Sequence, residues 1–565
     1  MRFVLVLALS LASLALVHSR GTEGPVPPAP DAAAARVVPA DASGPIRFDD
    51  VAEEAGLDFR LENHPTPDKH LPETMPGGVA TLDYDGDGLT DIYFTNGAEM
   101  PSREKSSPKY WNRLYRNEGG LRFRDVTEAA GVAGAGYSMG VAAADYDNDG
   151  DVDLFVAGLD RNILYRNTGK SAFEDVTARA GIASRGWAVA AGWFDYDNDG
   201  RLDLFVVNYL EWAPGVDPFC GDRARGLRVY CHPKFYEGLP NTLYRNRGDG
   251  TFEDVSERSG IGRHVGKGMS VAFADYDDNG FLDAFVTNDA VPSFLFRNRG
   301  GGTFEEVALL AGAAVPGHGR PVSAMGVDFR DYDNDGRPDI VFTALAGETF
   351  PLFANDGRGG FRDATHASGL GAATMRRSGW GVGLVDLDND GWKDLFTANS
   401  HVNDRIELFE ASEYRQANSV FRNLGDGRFQ DVSSGAGADF QTARAHRGNA
   451  FADFDGDGRL DVVTTALGER AQLWRNTSPA GNWIRLRLVG TRSNRDGIGA
   501  VVRIGTRTDL MTTSVGYASS SHHGVHIGLG RAEVVDRIEI RWPSGARQVL
   551  ERVPVNRELR IEEQK

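Results

Sequence analysis

An acidic nonapeptide, Asp-x-Asp-x-Asp-Gly-x-x-Asp, occurs seven times in this chain of 565 residues, one copy having Asn279 at the fifth position, and no other feature restricts the available folds as strongly. The copies begin at Asp83, Asp145, Asp195, Asp275, Asp331, Asp386 and Asp453. After each comes a short apolar run such as Leu154-Phe155-Val156, then Leu-Tyr-Arg-Asn or a relative, as at Leu114-Tyr115-Arg116-Asn117. A glycine turn and Phe-x-Asp-Val follow, as in Phe252-Glu253-Asp254-Val255. Four short β-rich runs separated by turn residues are the content of one propeller blade, so seven copies predict an all-β chain built on a seven-bladed β-propeller. The 69 glycines agree with many tight connections.

The phase of the repeat predicts how the ring closes. The last copy reaches Leu473-Trp474-Arg475-Asn476 with no Phe-x-Asp-Val after it, while an orphan copy, Phe48-Asp49-Asp50-Val51, precedes the first. The N-terminal strand 46–51 is therefore expected to complete the final blade and remove an exposed sheet edge. The propeller is assigned to residues 45–478, and 479–565 to a small β-sandwich-like domain with runs at 483–488, 500–504, 525–529 and 537–542. Three residues before each nonapeptide stand Ala80, Ala142, Gly192, Ala272, Asp328, Gly383 and Ala450. Small residues suit strands converging on an axis, so Asp328 is the exception and is expected to face the central channel.

Four carboxylates in nine residues repel one another, and a hard cation resolves the conflict. Alternating acids at positions 1, 3 and 5 with Gly at 6 are how a short loop wraps oxygen ligands around Ca²⁺. The expected side-chain ligands are Asp83, Asp85, Asp87 and Asp91; Asp145, Asp147, Asp149 and Asp153; Asp195, Asp197, Asp199 and Asp203; and Asp275, Asp277, Asn279 and Asp283. The remaining loops contribute Asp331, Asp333, Asp335 and Asp339; Asp386, Asp388, Asp390 and Asp394; and Asp453, Asp455, Asp457 and Asp461. Up to seven Ca²⁺ would reduce the formal charge of −19 to about −5. The alternative is a set of Asp-Gly surface turns without metal. The negative balance disfavours nucleic acid as a partner.

The N-terminus reads as a secretory signal over residues 1–19, with Arg2 before an apolar run, followed by a Pro/Ala-rich linker over 20–44 expected to be disordered. No later stretch has the length of a membrane span. The expected location is secreted, periplasmic or at the cell surface. In an oxidising compartment Cys220 and Cys231 are expected to form a local disulfide, a two-cysteine metal site or free thiol being the alternative.

The nonapeptides with their Phe-x-Asp-Val partners resemble the FG-GAP, or VCBS, repeats of integrin-α-type propellers. The tail, through Gly497-Ile498-Gly499-Ala500, Gly516-Tyr517-Ala518-Ser519, His526-Ile527-Gly528-Leu529-Gly530 and Trp542-Pro543-Ser544-Gly545, resembles an ASPIC/UnbV domain. Together they are similar to the cartilage acidic protein family. That resemblance implies calcium binding by the loops and extracellular, adhesion-like roles, and supplies no defined reaction.

Alternating strand direction puts the long loops 96–112, 208–241 and 399–419 on the face opposite the acidic loops. The middle one carries both cysteines with Tyr209, Trp212, Phe219, Tyr230, Phe235 and Tyr236, which either recognise a protein or carbohydrate ligand or pack the insertion onto its own blade. The repeated Arg-Asn is read as hairpin structure. His522, His523 and His526, taken as one strand, offer too few ligands on one face for zinc. The leading expectation is a binding or adhesion module without catalytic residues. The rival is a propeller enzyme acting on extracellular polysaccharide through channel-facing acids. No nucleophile elbow, zincin motif or phosphate loop is present in the sequence.

Overall fold

The computed structural model describes residues 46–564; the signal and linker readings at 1–19 and 20–44 lie outside the described residues. Each of the first six repeat copies folds into four antiparallel strands, and the seventh supplies three and takes its fourth from the N-terminus, giving seven such sheets among the described residues. Their innermost strands are Val79–Leu82, Tyr137–Ala144, Ala188–Phe194, Gly268–Ala274, Val327–Arg330, Gly379–Val385 and His446–Ala452. Each innermost strand touches the next and the last touches the first, so the sheets form a closed ring, a β-propeller. The innermost and second strands are buried throughout, which is why they read as continuous apolar or small-residue runs. The outermost, such as Phe252–Asp254, bury only their leading Phe among partly or fully exposed neighbours.

The ring closes through the N-terminus. Phe48–Asp50 pairs antiparallel with Gln472–Asn476, in the register Phe48 to Asn476 and Asp50 to Trp474. Phe48 lies in an apolar cluster with Phe396, Phe440 and Trp474.

The C-terminal domain has two sheets. In one, Asn482–Val489 lies between Val525–Gly530 and Arg557–Glu562; the other runs Arg507–Leu510, Val501–Ile504, Val534–Arg541, Arg547–Pro554. Ile484, Leu486, Val502, Ile538 and Trp542 fill the space between them. Arg507–Leu510, Arg547–Pro554 and Arg557–Glu562 are strands that the apolar runs did not reveal, because charged and other polar residues occupy half or more of their positions.

Between the two sheets the chain leaves this domain and threads the propeller's channel. Gly516 exchanges backbone hydrogen bonds with Val327 (2.9 and 3.1 Å), and Val141 N–H donates to Ala518 O (3.0 Å). Ser520–Ser521 adds a short parallel strand to Val79–Leu82. The hydroxyls of Ser519, Ser520 and Ser521 accept the amides of Val79, Ala143 and Phe451, so the inner edges of three sheets are satisfied by inserted side chains instead of water. Inner glycines allow this approach. A Cβ on Gly78 would stand 2.5 Å from Ala518 O, and one on Gly140 3.0 Å from the same atom.

The expectation that Asp328 faces a solvated channel is corrected. Asp328 is buried, paired with Arg330 (3.2 Å) and accepts the amides of Leu384 (2.8 Å) and Phe329 (2.9 Å). Arg330 also pairs with Asp509 of the C-terminal domain at 2.6 Å. The inserted segment occupies the axis, so this acid serves the fastening of the two domains. The three histidines do not share one strand either: a left-handed Gly524 (φ +78°) separates His522 and His523 from the strand that holds His526.

The far end of the channel is covered. The turn Leu71–Thr74 and the three long loops meet there, held by ion pairs from Lys69 to Asp404 (2.6 Å) and from His70 to Asp217 (2.7 Å). Cys220 and Cys231 are disulfide-bonded with Cα atoms 5.3 Å apart. Of the insertion's aromatics, Tyr209, Trp212, Tyr230 and Tyr236 are buried in this cover, Phe219 is half-buried, and Phe235 is exposed. The insertion therefore packs mainly onto the propeller itself.

Candidate metal centres

All seven nonapeptides sit between the first and second strands of their sheets, on the face that carries the C-terminal domain. Their local geometry repeats. The first Asp accepts the amide of the loop glycine, as in Gly88 N–H to Asp83 Oδ2 (3.0 Å) and Gly150 N–H to Asp145 Oδ2 (2.7 Å). The ninth uses one oxygen for the amide after the first Asp and the other for the Asn of Arg-Asn, as Asp203 does with Tyr196 (3.2 Å) and Asn246 (2.8 Å). The fifth accepts the amide two residues on, as Asp87 does from Leu89 (2.9 Å).

What these bonds leave over is the informative part. At the third position, Asp85, Asp147, Asp197, Asp277, Asp333 and Asp388 each keep a buried carboxylate oxygen with no hydrogen-bond partner. Carboxylate oxygens within 4.8 Å of one another are contributed by Asp83, Asp85 and Asp91; by Asp145, Asp147 and Asp153; and by Asp195, Asp197 and Asp199. Asp275, Asp277 and Asp283, and Asp331, Asp333 and Asp339, do the same, and two further groups exist among the described residues. Positions 1, 3 and 9 thus converge in four of the five groups named, and position 5 stands in place of position 9 in the third loop. Elsewhere position 5 also faces an arginine, as Asp87 does with Arg116 (2.9 Å) and Asp335 with Arg337.

Burial without compensation shows in the acidities. Desolvation pushes the Asp91 and Asp145 carboxyls up to about 8 and Asp195 up to about 7. It raises Asp331 and Asp453 to about 6, and holds Asp153, Asp203 and Asp283 well above the usual carboxylate range. An oxygen-only donor set of this kind, with orphaned buried oxygens, fits a hard divalent cation of the Ca²⁺ type.

Two roles in these loops went unread in the sequence. The Asn of each Arg-Asn donates its side-chain amide to the carbonyl after the first Asp of the preceding sheet: Asn246 to Tyr146 (2.8 Å), Asn298 to Tyr196 (2.8 Å), Asn117 to Phe454 (3.0 Å), and so around the ring. The Arg beside it pairs with the third and fifth acids of its own loop, as Arg245 does with Asp197 (2.9 Å) and Asp199 (3.2 Å). Repetition of Arg-Asn in six copies, with Ala354-Asn355 in the fifth, was the available signal; its direction across sheets was not.

The C-terminal domain reaches the same loops. Arg487 lies 3.3 Å from Asp83, Arg485 3.4 Å from Asp453, and Arg541 3.3 Å from Asp275. Asp145 N–H donates to Asp496 (2.8 Å), and His526 meets Asn389 at 2.8 Å. His526 is thus an interdomain contact, and burial pushes it down to about 3; His522 donates its backbone amide to Thr81 O (3.1 Å) and pairs with Asp496 of its own domain at 3.2 Å.

The FG-GAP-like repeat family matches residues 83–156, 145–206, 236–286, 276–342, 331–397 and 403–464, and the ASPIC and UnbV family matches 490–565. Human cartilage acidic protein 1 is 28% identical over 318 residues, 54% of this chain and 45% of that protein. The Xenopus tropicalis protein of that name is 26% identical over 314 residues, 53% and 45% respectively. The chain spans about half the length of the curated relatives it matches. Among solved structures, an Agrocybe aegerita lectin aligns at 16% identity and a TM-score of 0.37, over 70% of this chain and 87% of the lectin. YCF48 bound to D1 peptide aligns at 10% and 0.39, over 78% and 97%.

Proposed function

This chain belongs to the FG-GAP-like repeat family, with an ASPIC and UnbV domain at its C-terminus, and on that premise we propose that it is an extracellular binding module whose acidic loops hold calcium. The observation that carries the calcium assignment is the buried, unpartnered oxygen of the third Asp in six loops. Bound Ca²⁺ supplies positive charge that these oxygens otherwise lack. The chain's own residues shape each site: the loop glycine amide orients the first Asp, the ninth Asp ties the loop to the third strand, and the Arg of Arg-Asn balances the rim.

Secretion is supported by the N-terminal sequence and by the disulfide, which persists in oxidising compartments. Among the described residues no helix is long and apolar enough to cross a membrane. The binding role is supported by kinship with a repeat family and by a rigid ring that displays loops on both faces. The rival reading, a polysaccharide-degrading enzyme using channel acids, loses its named acid, because Asp328 is committed to Arg330 and the channel axis is occupied.

The test is a metal count by mass spectrometry on the purified full chain after dialysis against millimolar Ca²⁺, paired with thermal unfolding in Ca²⁺ and in chelator. Several Ca²⁺ per chain with a raised melting temperature is the expected result. Each saturated site adds about 2.7 kcal/mol at a hundredfold excess over its Kd. No bound metal and no shift would remove the calcium assignment.

A further inference from the structure

We propose that the cleft between the C-terminal domain and the fourth and fifth acidic loops binds a sugar carrying carboxylate or sulfate groups. This rests on the calcium reading above, since it needs those loops neutralised. The cleft has a volume of about 560 Å³, within the range of small-ligand sites. One wall is the outward face of the sheet containing Val501–Ile504 and Val534–Arg541; the other carries Asp275, Asp277 and Asp331.

Four observations specify the ligand. Arg541 and Arg547 are direct cross-strand partners; Arg541 is answered by Asp275 (3.3 Å) and Asp278 (3.5 Å), which leaves Arg547 beside a like charge without a close acid of its own among the described residues. Arg503 and Arg547 line the cleft without a close ion pair among the described residues; Glu539, directly across the strand from Arg503, is the acid that both face. Thr508, directly across the strand from Arg503, is 8% exposed, yet its hydroxyl is buried without a hydrogen-bond partner. That hydroxyl and the Arg503 guanidinium both reach the fifth loop, 3.8 Å and 3.4 Å from where a Cβ on Gly336 would stand.

Guanidinium groups take planar oxyanions, and an unsatisfied hydroxyl takes a neutral hydroxyl. Val501, Leu510 and Val549 add an apolar strip between them, which suits the C–H face of a sugar ring and has no counterpart on an inorganic anion. With the loops empty, the acids of the opposite wall repel such a ligand. With Ca²⁺ in place most of that repulsion is cancelled and the arginines of the other wall are left to attract the ligand, so binding is expected to depend on calcium.

The experiment is calorimetric titration of the calcium-saturated full chain with trigalacturonate and, separately, with a heparin disaccharide, the two arms distinguishing carboxylate from sulfate. Maltotriose, inorganic sulfate and tetraglutamate are the controls, and metal content is measured on the same samples. Binding of either acidic sugar, lost in chelator and weakened about tenfold to a hundredfold by Arg503→Ala or Arg547→Ala, is expected. Thr508→Val should weaken it less, and Arg531→Ala, outside the cleft, should leave it unchanged. Variants must keep the wild-type calcium count and melting temperature. Calcium-loaded protein that binds neither sugar, binds the controls equally, or is indifferent to both arginine variants overturns the cleft alone. Protein that takes up no calcium overturns the underlying reading and this proposal with it.

Discussion

Tyr517 of the C-terminal domain donates its phenolic O–H to the backbone carbonyl of Met75, 442 residues earlier, at 2.8 Å. The ring stands edge-on to Trp380, with centroids 4.9 Å apart, and Trp380 in turn lies under the buried guanidinium of Arg447. One side chain therefore joins the inserted segment to the cover at the far end of the channel.

Tyr517→Ala should destabilise the protein by about 3–5 kcal/mol, because it leaves a ring-sized cavity among close-packed neighbours. Tyr517→Phe should lose only about 1–2 kcal/mol, the contribution of one buried hydrogen bond whose acceptor is left unpaired. Urea unfolding of both variants measures the difference. Equal, small losses would mean that the channel does not hold this ring.

The asparagine staples predict a loss larger than a hairpin residue would give. Asn246 donates to Tyr146 O (2.8 Å) and Leu202 O (3.0 Å) and accepts from Gly248 N–H (2.9 Å). Asn246→Ala removes three buried bonds across two sheets and should destabilise by about 2–4 kcal/mol. Hydrogen exchange should show faster opening at both the second and third sheets, whereas a purely local role would affect the third alone.

Asp197→Asn should have opposite effects with and without calcium. In chelator it removes a charge that repels Asp195 and Asp199, while the amide oxygen can still accept from Arg245, so the melting temperature should stay level or rise. In Ca²⁺ it removes a ligand, so the count should fall by one and the melting temperature should drop below wild type. A melting curve that moves the same way in both buffers would argue against a metal at this loop.

Glu563 predicts an acid-sensitive contribution. Burial alone would raise its carboxyl, but the hydroxyl of Ser544 and the amides of Ser493, Arg492 and Thr491 donate to it and hold it at about 2. Its folded value is depressed, so its stabilisation is complete above about pH 5 and disappears as pH falls toward 2. With an ordinary value near 4.5, the amount is about 3 kcal/mol. Unfolding free energies of wild type and Glu563→Gln should differ by about this much at pH 7 and converge near pH 2.

Much of the candidate site was legible because its parts are close in sequence. Nine consecutive residues bring positions 1, 3 and 9 together by loop geometry alone, as Asp83, Asp85 and Asp91 do. The disulfide between Cys220 and Cys231 spans a separation of 11 residues and needed only a compartment argument. Asp328 was misread for the opposite reason. Its partners are Arg330 and Leu384, and it shares Arg330 with Asp509, 181 positions away in another domain; a composition rule for inner strands carries no information about them.

The sequence by itself determined the sheets: the repeat encodes four strands, their connecting loops and their acids in each copy, because every interaction needed to form one sheet lies within one repeat length. Its phase also left one orphan strand at the N-terminus, and Phe48–Asp50 is found against Gln472–Asn476. Only the tertiary structure decided what the channel contains and what covers the acidic face. Apart from Tyr517, Gly516 to Ser521 are small, and their partners at Val327, Val141 and Thr81 are backbone groups, which every residue type presents alike. Contacts made through backbone leave no side-chain signature, so the insertion that joins the two domains could be seen only once both were folded together.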